Sequence, residues 1–338
     1  MRASFALSIF FLLPASVLSA APKTLQIYFV DVEGGQATLF VTPAGQSLLI
    51  DTGWPGNAYR DANRIAAAAK LAKIKKIDYV LITHYHDDHV GGVPQLVDKI
   101  PVGTFIDHGA DTETGKGADR LWAGYQKGLA TAKRLTVKPG DAIPIKGLNA
   151  TIVSSNGEVI AQPLPGAGAP NSYCTAAEQR PVDTTENARS VGTYFTFGKF
   201  RTVDLGDLTW NKEALLACPN AKLGPVDVLI VTHHGFNQSS NPVLVKALAP
   251  RVAIMDNGAK KGGSPSTVDI IKSSPGLEDL WQLHFSDEGG KEHNSSDNLI
   301  ANVEEADTGN YIKLTAYEDG SFEVYNARNK QEKKYAAK

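Results

Sequence analysis

Residues 83–92 read THYHDDHVGG, the most chemically specific stretch of the chain. Three histidines and two aspartates fall within residues 84–89. The apolar run at 77–82, directly before them, predicts a short buried strand. The glycine pair that closes the stretch predicts a loop, and Pro94 favours the start of a helix. We therefore expect the polar cluster in a loop at the C-terminal end of a strand.

The side chains of this cluster are of the types that bind metal ions. Imidazole nitrogen and carboxylate oxygen are good ligands for Zn²⁺ and other first-row metals. A tight turn can direct His84 and His86 to one side and Asp88 with His89 to the other, which would start two adjacent metal sites. Two ions held about 3.5–4 Å apart can bridge a hydroxide and polarise the bond that it attacks. A patch that only responds to pH or caps a helix is the alternative, and the cost of placing so many polar groups after a buried strand disfavours it.

The composition excludes several classes of protein. The 338 residues include 34 Lys and Arg against 36 Asp and Glu, a net charge of -2, which argues against a broad basic surface for nucleic acid but not against a local one. With 42% hydrophobic and 21% charged residues, the chain is not wholly disordered. Two cysteines are too few for a disulfide framework or a Cys₄ zinc site. The length suits a large one-domain α/β fold.

The N-terminus has the layout of a secretory signal. One basic residue, an apolar run and a group of small residues near Ala20 predict a signal peptide at 1–20. A single membrane anchor is the alternative, but the apolar run is too short to span a bilayer comfortably. We expect a secreted or periplasmic protein with no stable membrane insertion after cleavage. An oxidising compartment permits Cys174 and Cys218 to pair, although the sequence leaves open whether they lie close enough.

The rest of the chain is predicted to form one domain at 21–328. Strands are predicted within 25–53 and at 77–82, 194–205, 226–231 and 252–255, and a hairpin is predicted at 311–325. Helices are predicted at 57–75, near Pro94 and at 118–134. The Pro- and Gly-rich residues 154–187 predict a long loop insertion, and the charged residues 329–338 predict a flexible tail.

Two segments of the first half have similar counterparts in the second half. Residues 48–53 (LLIDTG) resemble 201–206 (RTVDLG), and 77–84 (IDYVLITH) resemble 226–233 (VDVLIVTH). Two similar strand-loop units, each ending in a histidine, suggest two sheets that face one shared site. Chance similarity between buried strands is the alternative.

Several motifs together resemble those of a known family. The order of His84, His86, Asp88 and His89 is similar to the H-x-H-x-D-H signature of the metallo-β-lactamase superfamily. Further matching segments follow in the expected order: LLIDTG at 48–53, DLGD at 204–207 and VTHHG at 231–235. Within that superfamily the chain looks most like the hydrolase domain of DNA-internalisation competence proteins, through FVDVEGGQATLFV at 29–41 and LIVTHHGFNQSSNPVLVKALAPRVAI at 229–254. The resemblance implies a four-layer αββα sandwich with a metal site at one edge.

The resemblance also implies a set of ligands. By matching position the ligands would be His84 and His86 for a first metal, Asp88 and His89 for a second, and Asp207 bridging both. Asp51 would support the metal loop by orienting its ligands. For Asp207 the alternative is a solvated turn residue. The implied cofactor is Zn²⁺, as one or two ions, with Mn²⁺ or Fe as alternatives.

The dipeptide His233-His234 has three candidate roles. It could supply a metal ligand, a proton donor to the leaving group or a contact to an anion, and a histidine suits proton transfer because its pKa can lie near working pH. We rank His234 ahead of His233, since one of the pair could be only a packed residue. These two residues and Asp88 are the candidate catalytic groups.

Two departures from the family pattern affect the ligand set. A third histidine for the first metal is expected between the cluster and Asp207, where only His108 occurs. A last histidine is expected in residues 257–266, which read NGAKKGGSPS and contain none. Lys260 and Lys261 could instead attract a substrate anion, and His284 is a weak substitute ligand. One strong and one weak metal site are therefore expected.

The resemblance implies an exported metal-dependent hydrolase that attacks its substrate with a metal-activated water. Likeness to competence proteins favours a phosphoester, either a small molecule or a phosphodiester, and nucleic acid stays open as a substrate although the net charge does not favour it. Hydrolysis of a lactone, amide or thioester is the first alternative. A non-catalytic secreted protein that binds metal or a partner is the second, and the missing late histidine favours it.

Overall fold

The structure is a computed structural model that describes residues 23–176, 178–304 and 307–338. Within these ranges seventeen strands form two mixed sheets with helices on their outer faces. The expected signal peptide at 1–20 lies outside the described residues. Among the helices of the described ranges, none is long and apolar enough to cross a membrane.

The first sheet is built from both ends of the described chain. Its members are β1 (Thr24–Phe29), β2 (Thr38–Val41), β3 (Ser47–Ile50), β4 (Ile77–Leu81), β5 (Val102–Asp107), β6 (Lys133–Thr136), and, after the strands of the second sheet, β15 (Ile312–Tyr317), β16 (Phe322–Asn326) and β17 (Glu332–Tyr335). Their spatial order is β17-β16-β15-β1-β2-β3-β4-β5-β6. The strands β3, β4 and β5 are parallel neighbours.

The second sheet comes from the middle of the chain. It holds β7 (Asn149–Ser155), β8 (Glu158–Val159), β9 (Gly192–Phe197), β10 (Phe200–Asp204), β11 (Val228–Ile230), β12 (Val252–Met255), β13 (Asp279–His284) and β14 (Ile300–Asn302). Their order is β14-β13-β12-β11-β10-β9-β7-β8. The run from β10 to β13 is parallel. The two similar segments of the sequence therefore fall in different sheets, β3–β4 in the first and β10–β11 in the second.

Helices cover the outer face of each sheet. They are α1 (Arg60–Leu71), α2 (Asp87–Val90), α3 (Val93–Val97), α4 (Lys116–Leu129), α5 (Trp210–Ala217), α6 (Pro242–Leu248) and α7 (Pro265–Lys272). In α1, Ile65, Ala68 and Ala69 recur at helical spacing and are buried against the first sheet. α5, α6 and α7 pack on the second sheet in the same way. Between the sheets, the rings of Phe40 and Phe195 stack with their centroids 4.5 Å apart. The expected αββα sandwich is confirmed.

Two predicted elements differ from the structure in their bounds. The helix expected at 118–134 ends at Leu129, because Lys133–Thr136 forms the edge strand β6 beside β5. Arg134 fixes that strand by an ion pair with Asp107, whose Oδ2 lies 2.7 Å from Nε. The helix expected at 57–75 is shorter, since Asn57–Tyr59 form a 3₁₀ turn before α1 and the helix ends at Leu71.

The residues 329–338, expected as a flexible tail, contain the four-residue strand β17. This strand pairs antiparallel with β16, and Tyr335 is buried. The Tyr335 ring stacks on Phe322 at 4.6 Å, and its hydroxyl donates to Asp279 over 2.6 Å. Residues 332–334 are all charged, and Tyr335 is the one buried residue of this strand, so the sequence shows no apolar alternation that would predict it.

The segment at 154–187 is largely irregular, as expected, but it is covalently joined to the helices that pack on the second sheet. Its 3₁₀ turn Ser172–Ala176 carries Cys174, which forms a disulfide with Cys218 at the end of α5. The Cα atoms of the two cysteines are 5.7 Å apart. Asn171 adds hydrogen bonds from Nδ2 to the carbonyls of Ala217 and Val243 over 3.1 Å and 3.0 Å. The sequence left the pairing of the cysteines open, and the structure pairs them.

Candidate metal centre

Four buried side chains converge where the two sheets meet. Asp88, His89, Asp207 and His234 each offer one ligand atom, and these atoms all lie within 4.8 Å of one another. The first two belong to α2, just after β4. Asp207 follows β10, and His234 lies in the 3₁₀ turn Thr232–Gly235 after β11. The parallel strands β10 and β11 end at the same edge of the second sheet, and the loop after β4 of the first sheet meets them there.

The ring nitrogens and carboxylate oxygens face a common space. His89 Nε2 lies 3.3 Å from Asp88 Oδ2 and 3.2 Å from Asp207 Oδ2. His234 Nε2 lies 3.2 Å from Asp88 Oδ2 and 3.4 Å from Asp207 Oδ1. The two Nε2 atoms are 3.2 Å apart. Imidazole and carboxylate groups in this arrangement form the donor set of a Zn²⁺, Mn²⁺ or Fe site.

Unpartnered buried atoms in the same place fit a bound cation. Within the described residues, His84 Nε2 and Asp207 Oδ1 are buried without a hydrogen-bond partner. His84 Nε2 lies 3.9 Å from Asp207 Oδ2, so its free nitrogen faces the cluster. Buried polar atoms are nearly always partnered, and a metal ion would satisfy both of these. The residues present therefore fit the metal ion that the family resemblance implies.

The protonation of the centre without metal follows from burial and mutual charge. Burial alone would raise the pKa of Asp207, but the neighbouring histidines outweigh it and hold the pKa well below its usual range. Burial alone would lower the pKa of His89, yet the carboxylates of Asp207 and Asp88 raise it well above normal. Burial and the charge of His89 lower the pKa of His84 far below its usual value. Metal binding would therefore displace protons, since ligands bind in their deprotonated forms.

Asp51 orients His89 through the ring nitrogen Nδ1, which points away from the cluster. Its Oδ2 lies 2.7 Å from His89 Nδ1 and accepts the Thr83 hydroxyl over 2.6 Å, while Oδ1 accepts the Thr83 backbone N–H over 2.8 Å. With Nδ1 bound to Asp51, the ring directs Nε2 into the cluster. These contacts are the ones that the orienting role expected for Asp51 requires.

Replacing Asp51 by Asn should weaken metal binding by about 10–100-fold, because partners of a ligating histidine usually contribute that much. An amide would no longer fix His89 with its proton on Nδ1. Competition titration of purified protein against a fluorescent zinc chelator measures the affinity. Asp78→Asn is a matched control, since Asp78 lies in β4 and its Oδ2 accepts the backbone N–H of Ser47 at the start of β3. Equal zinc affinity in Asp51→Asn and the parent chain would contradict the role.

The His233-His234 turn adopts an uncommon backbone conformation. Both residues are left-handed, with φ of 57° and 52°, a conformation that costs a residue other than Gly about 1–3 kcal/mol. The His233 N–H donates to the Gly206 carbonyl over 3.0 Å, and the His234 carbonyl accepts the Gly263 N–H over 2.9 Å. These bonds stabilise the turn. As a result His234 enters the cluster, and His233 Nε2 lies 3.2 Å from Asp207 Oδ2.

His86 is placed at the rim rather than in the cluster. Its ring lies 4.7 Å from that of His84, but Nε2 lies 3.3 Å from the Glu113 carboxylate. The ligand role expected for His86 beside His84 stays a prediction. The sequence analysis did not find Glu113, which lies in an irregular loop and carries no motif of its own.

His108, expected as a substitute ligand, is engaged elsewhere. Its Nε2 lies 2.8 Å from Glu186 Oε2, and the other carboxylate oxygen of Glu186 accepts the Thr112 hydroxyl over 2.6 Å. The structure therefore gives His108 a buried hydrogen-bond partner and does not bring it to the four clustered residues. His284 is also separate, since its Nε2 lies 2.7 Å from Asp31.

Two further groups complete the surroundings of the cluster. Asp256 Oδ1 lies 3.4 Å from His234 Nδ1 and is a second carboxylate behind a histidine. No motif of the sequence marks Asp256, but its place directly after β12 could have indicated a residue at the site. Lys261 contacts Asp88 and lies over the Trp54 ring at 4.7 Å. Lys261 and Trp54 also line a cavity of about 510 Å³ beside the cluster.

Comparison with known proteins agrees with this architecture. The sequence model of the metallo-beta-lactamase superfamily matches residues 30–173, a range that contains the H-x-H-x-D-H segment and Asp51. The chain has the metallo-β-lactamase fold. The match supports membership of the superfamily, and in this structure the loops after β4, β10 and β11 meet at the candidate metal centre.

Individual relatives cover the chain unevenly. The chain is 32% identical to a UPF0173 metal-dependent hydrolase of Cupriavidus metallidurans over 83 residues. That aligned stretch covers 25% of this chain and 26% of that protein. Over 242 residues it is 24% identical to Recombination protein 2 of Haemophilus influenzae, 70% of this chain and 24% of that protein. The metallo-beta-lactamase fold protein YhfI of Bacillus subtilis matches with a TM-score of 0.46 at 14% identity, over 77% of this chain and 96% of that one. The chain thus spans about a quarter of these two curated relatives.

Proposed function

We propose that the chain is a metal-dependent hydrolase that cleaves a phosphoester. The observation that carries the proposal is the convergence of Asp88, His89, Asp207 and His234 beside the unpartnered nitrogen of His84. These five residues would hold the metal. A bound divalent ion supplies Lewis-acid chemistry, polarising the bond under attack and lowering the pKa of water.

The residues around the ion position groups and move protons. Ser190 accepts the Asp207 backbone N–H through its Oγ over 3.2 Å, which fixes the carboxylate that several ring nitrogens share. Ser239 holds His233 by a 3.1 Å contact from Oγ to Nδ1. Burial lowers the pKa of His233 to about 4 in the metal-free protein. Because His234 Nε2 lies within the four-residue cluster, His234 would be a ligand. His233, whose Nε2 lies 3.2 Å from Asp207 Oδ2, is then the proposed proton-transfer group, which reverses the ranking of the two histidines made from the sequence.

A phosphoester is the proposed substrate class for two reasons. The sequence motifs resemble the hydrolase domain of competence proteins, and the alignment with Recombination protein 2 covers 70% of this chain. The net charge of -2 favours a small phosphoester or phosphodiester over extended nucleic acid. We also propose a secreted or periplasmic location, on the basis of the secretory signal that the sequence predicts at 1–20.

Metal analysis combined with a substrate panel tests the proposal. Purified protein should contain a divalent metal and hydrolyse bis-p-nitrophenyl phosphate faster than a lactone or nitrocefin. Chelation should abolish turnover, and Zn²⁺ or Mn²⁺ should restore it, because the metal supplies the Lewis acid. His89→Ala should lose turnover, whereas His293→Ala, at a partly exposed ion pair with Asp269, should keep it. Turnover that survives both chelation and His89→Ala would refute the proposal, and faster cleavage of the lactone or nitrocefin would assign the alternative substrate class.

A further inference from the structure

Lys261 places a fixed positive charge inside the candidate metal centre. Its Nζ is in direct contact with Asp88 Oδ2. The same oxygen lies 3.3 Å from His89 Nε2 and 3.2 Å from His234 Nε2. The ammonium group therefore shares a carboxylate oxygen with two ring nitrogens of the four-residue cluster.

The loop around Lys261 is built to bring this side chain inward. The Gly258 N–H donates to the Lys261 carbonyl over 2.8 Å, which closes a tight turn. A Cβ on Gly262 would lie 2.1 Å from the His234 carbonyl oxygen, so only glycine allows the loop to approach the histidine turn. On the other side, a Cβ on Gly34 would lie 3.0 Å from Lys261 Cβ. Close backbone contacts thus fix the position from which the lysine extends.

The aromatic ring of Trp54 supports the charged end. Lys261 Nζ lies 4.7 Å from the ring centroid, at a distance where a cation is attracted to the π-face. The Lys261 side chain is 24% exposed, and that of Asp88 is 7% exposed. The neighbouring Lys260 is exposed and makes no ion pair among those found in the described residues. The two adjacent lysines therefore differ in environment although they share one loop.

The position of Lys261 in the sequence connects its contact with Asp88 to metal binding. Residues 257–266 are where the family resemblance leads us to expect a last histidine, and the segment contains none. The chain instead places an ammonium group from this segment on Asp88, the carboxylate expected to bind the second metal. A divalent ion on the same oxygen would face direct repulsion from Lys261.

We propose that the Lys261 ammonium replaces the second divalent ion at Asp88, so that the centre binds one ion per chain. This inference rests on the proposed metal-dependent function, since it concerns the occupancy of the same site. His84 and Asp207, whose Nε2 and Oδ1 atoms are buried without a hydrogen-bond partner in the described residues, would be among the ligands of the single ion. Lys261 supplies the remaining positive charge to Asp88.

Metal stoichiometry tests this inference without reference to activity. Apo protein is dialysed against Zn²⁺ and its bound zinc is measured by mass spectrometry. The wild-type chain should bind one ion. Lys261→Gln, which removes the charge, and Lys261→His, which adds a ligand, should each bind two. Lys261→Arg, which keeps the charge, should bind one, as should the adjacent control Lys260→Gln.

The outcomes separate the inference from the proposed function. Two ions in the wild-type chain, or one ion in both Lys261→Gln and Lys261→His when circular dichroism shows them folded, would overturn the inference while leaving a metal centre in place. No bound ion in the wild-type chain would overturn the proposed function and the inference with it. A misfolded Lys261→Gln does not end the test, because Lys261→His retains a polar ligand at the same position.

Discussion

Asp207→Asn should reduce both metal affinity and phosphoester turnover by more than about 100-fold, beyond the 10–100-fold range typical of groups that only orient a ligand. The Oδ2 atom of Asp207 lies 3.2 Å from His89 Nε2 and from His233 Nε2, and Oδ1 lies 3.4 Å from His234 Nε2. An amide keeps the shape of the side chain but removes the charge. No other carboxylate of the cluster contacts all three of these rings.

The same variant has a signature that does not depend on turnover. Because Asp207 raises the pKa of His89 in the metal-free protein, that pKa should fall in Asp207→Asn. Imidazole NMR titration of apo protein measures the shift, and zinc competition measures the affinity. Asp269→Asn, an exposed Asp-to-Asn change at the His293 ion pair, is the control. Wild-type zinc affinity in Asp207→Asn would exclude Asp207 as a ligand.

The ligand-bearing loops were predictable because their residues follow recognisable strands. An apolar run before His84 and another before His233 predict both strand ends, and the internal similarity suggests two sheets that face one shared site. The αββα layering and the ligand roles of Asp88, His89 and Asp207 are implied by the family resemblance. The structure brings these three residues together with His234 at the place where the two sheets meet.

The partners of the other histidines were not predictable in this way. His108 meets Glu186, which is 78 positions away and lies at the end of an irregular segment. His86 meets Glu113 from a loop without periodicity. Residue type shows that a histidine can bind a metal or a carboxylate, but the choice depends on where distant loops pack. The same reason applies to Lys261, whose inward direction depends on glycine contacts across three loops.

The edge strands β6 and β17 were difficult to predict from the sequence for a related reason. β17 begins with three successive charged residues, and β6 begins within a stretch that was predicted to continue the helix α4. Edge strands commonly carry such charges because one of their sides is unpaired. Their formation depends on an available neighbour, β16 or β5, which no local pattern reveals.

Removing the disulfide should lower the free energy of unfolding by about 4 kcal/mol, close to a 1,000-fold change in the unfolding equilibrium. Cys174 and Cys218 are separated by 44 positions, and a cross-link over that length restricts the unfolded chain by about this amount in the entropy model. The folded state should change little, because Asn171 still bonds the Ala217 and Val243 carbonyls. The loss is therefore expected to arise mainly in the unfolded state.

Guanidinium unfolding of Cys174→Ser/Cys218→Ser, followed by tryptophan fluorescence, measures this loss. Reduced wild-type protein is the matched control and should unfold at the same denaturant concentration as the double variant, since both lack the cross-link. Metal content should be unchanged, because neither cysteine is among the clustered ligands. A loss below about 1 kcal/mol would mean that the segment at 154–187 and α5 stay associated in the unfolded chain, so that the cross-link removes little entropy there. A loss of metal together with the disulfide would instead show that this segment supports the centre through Glu186 and the residues that follow it.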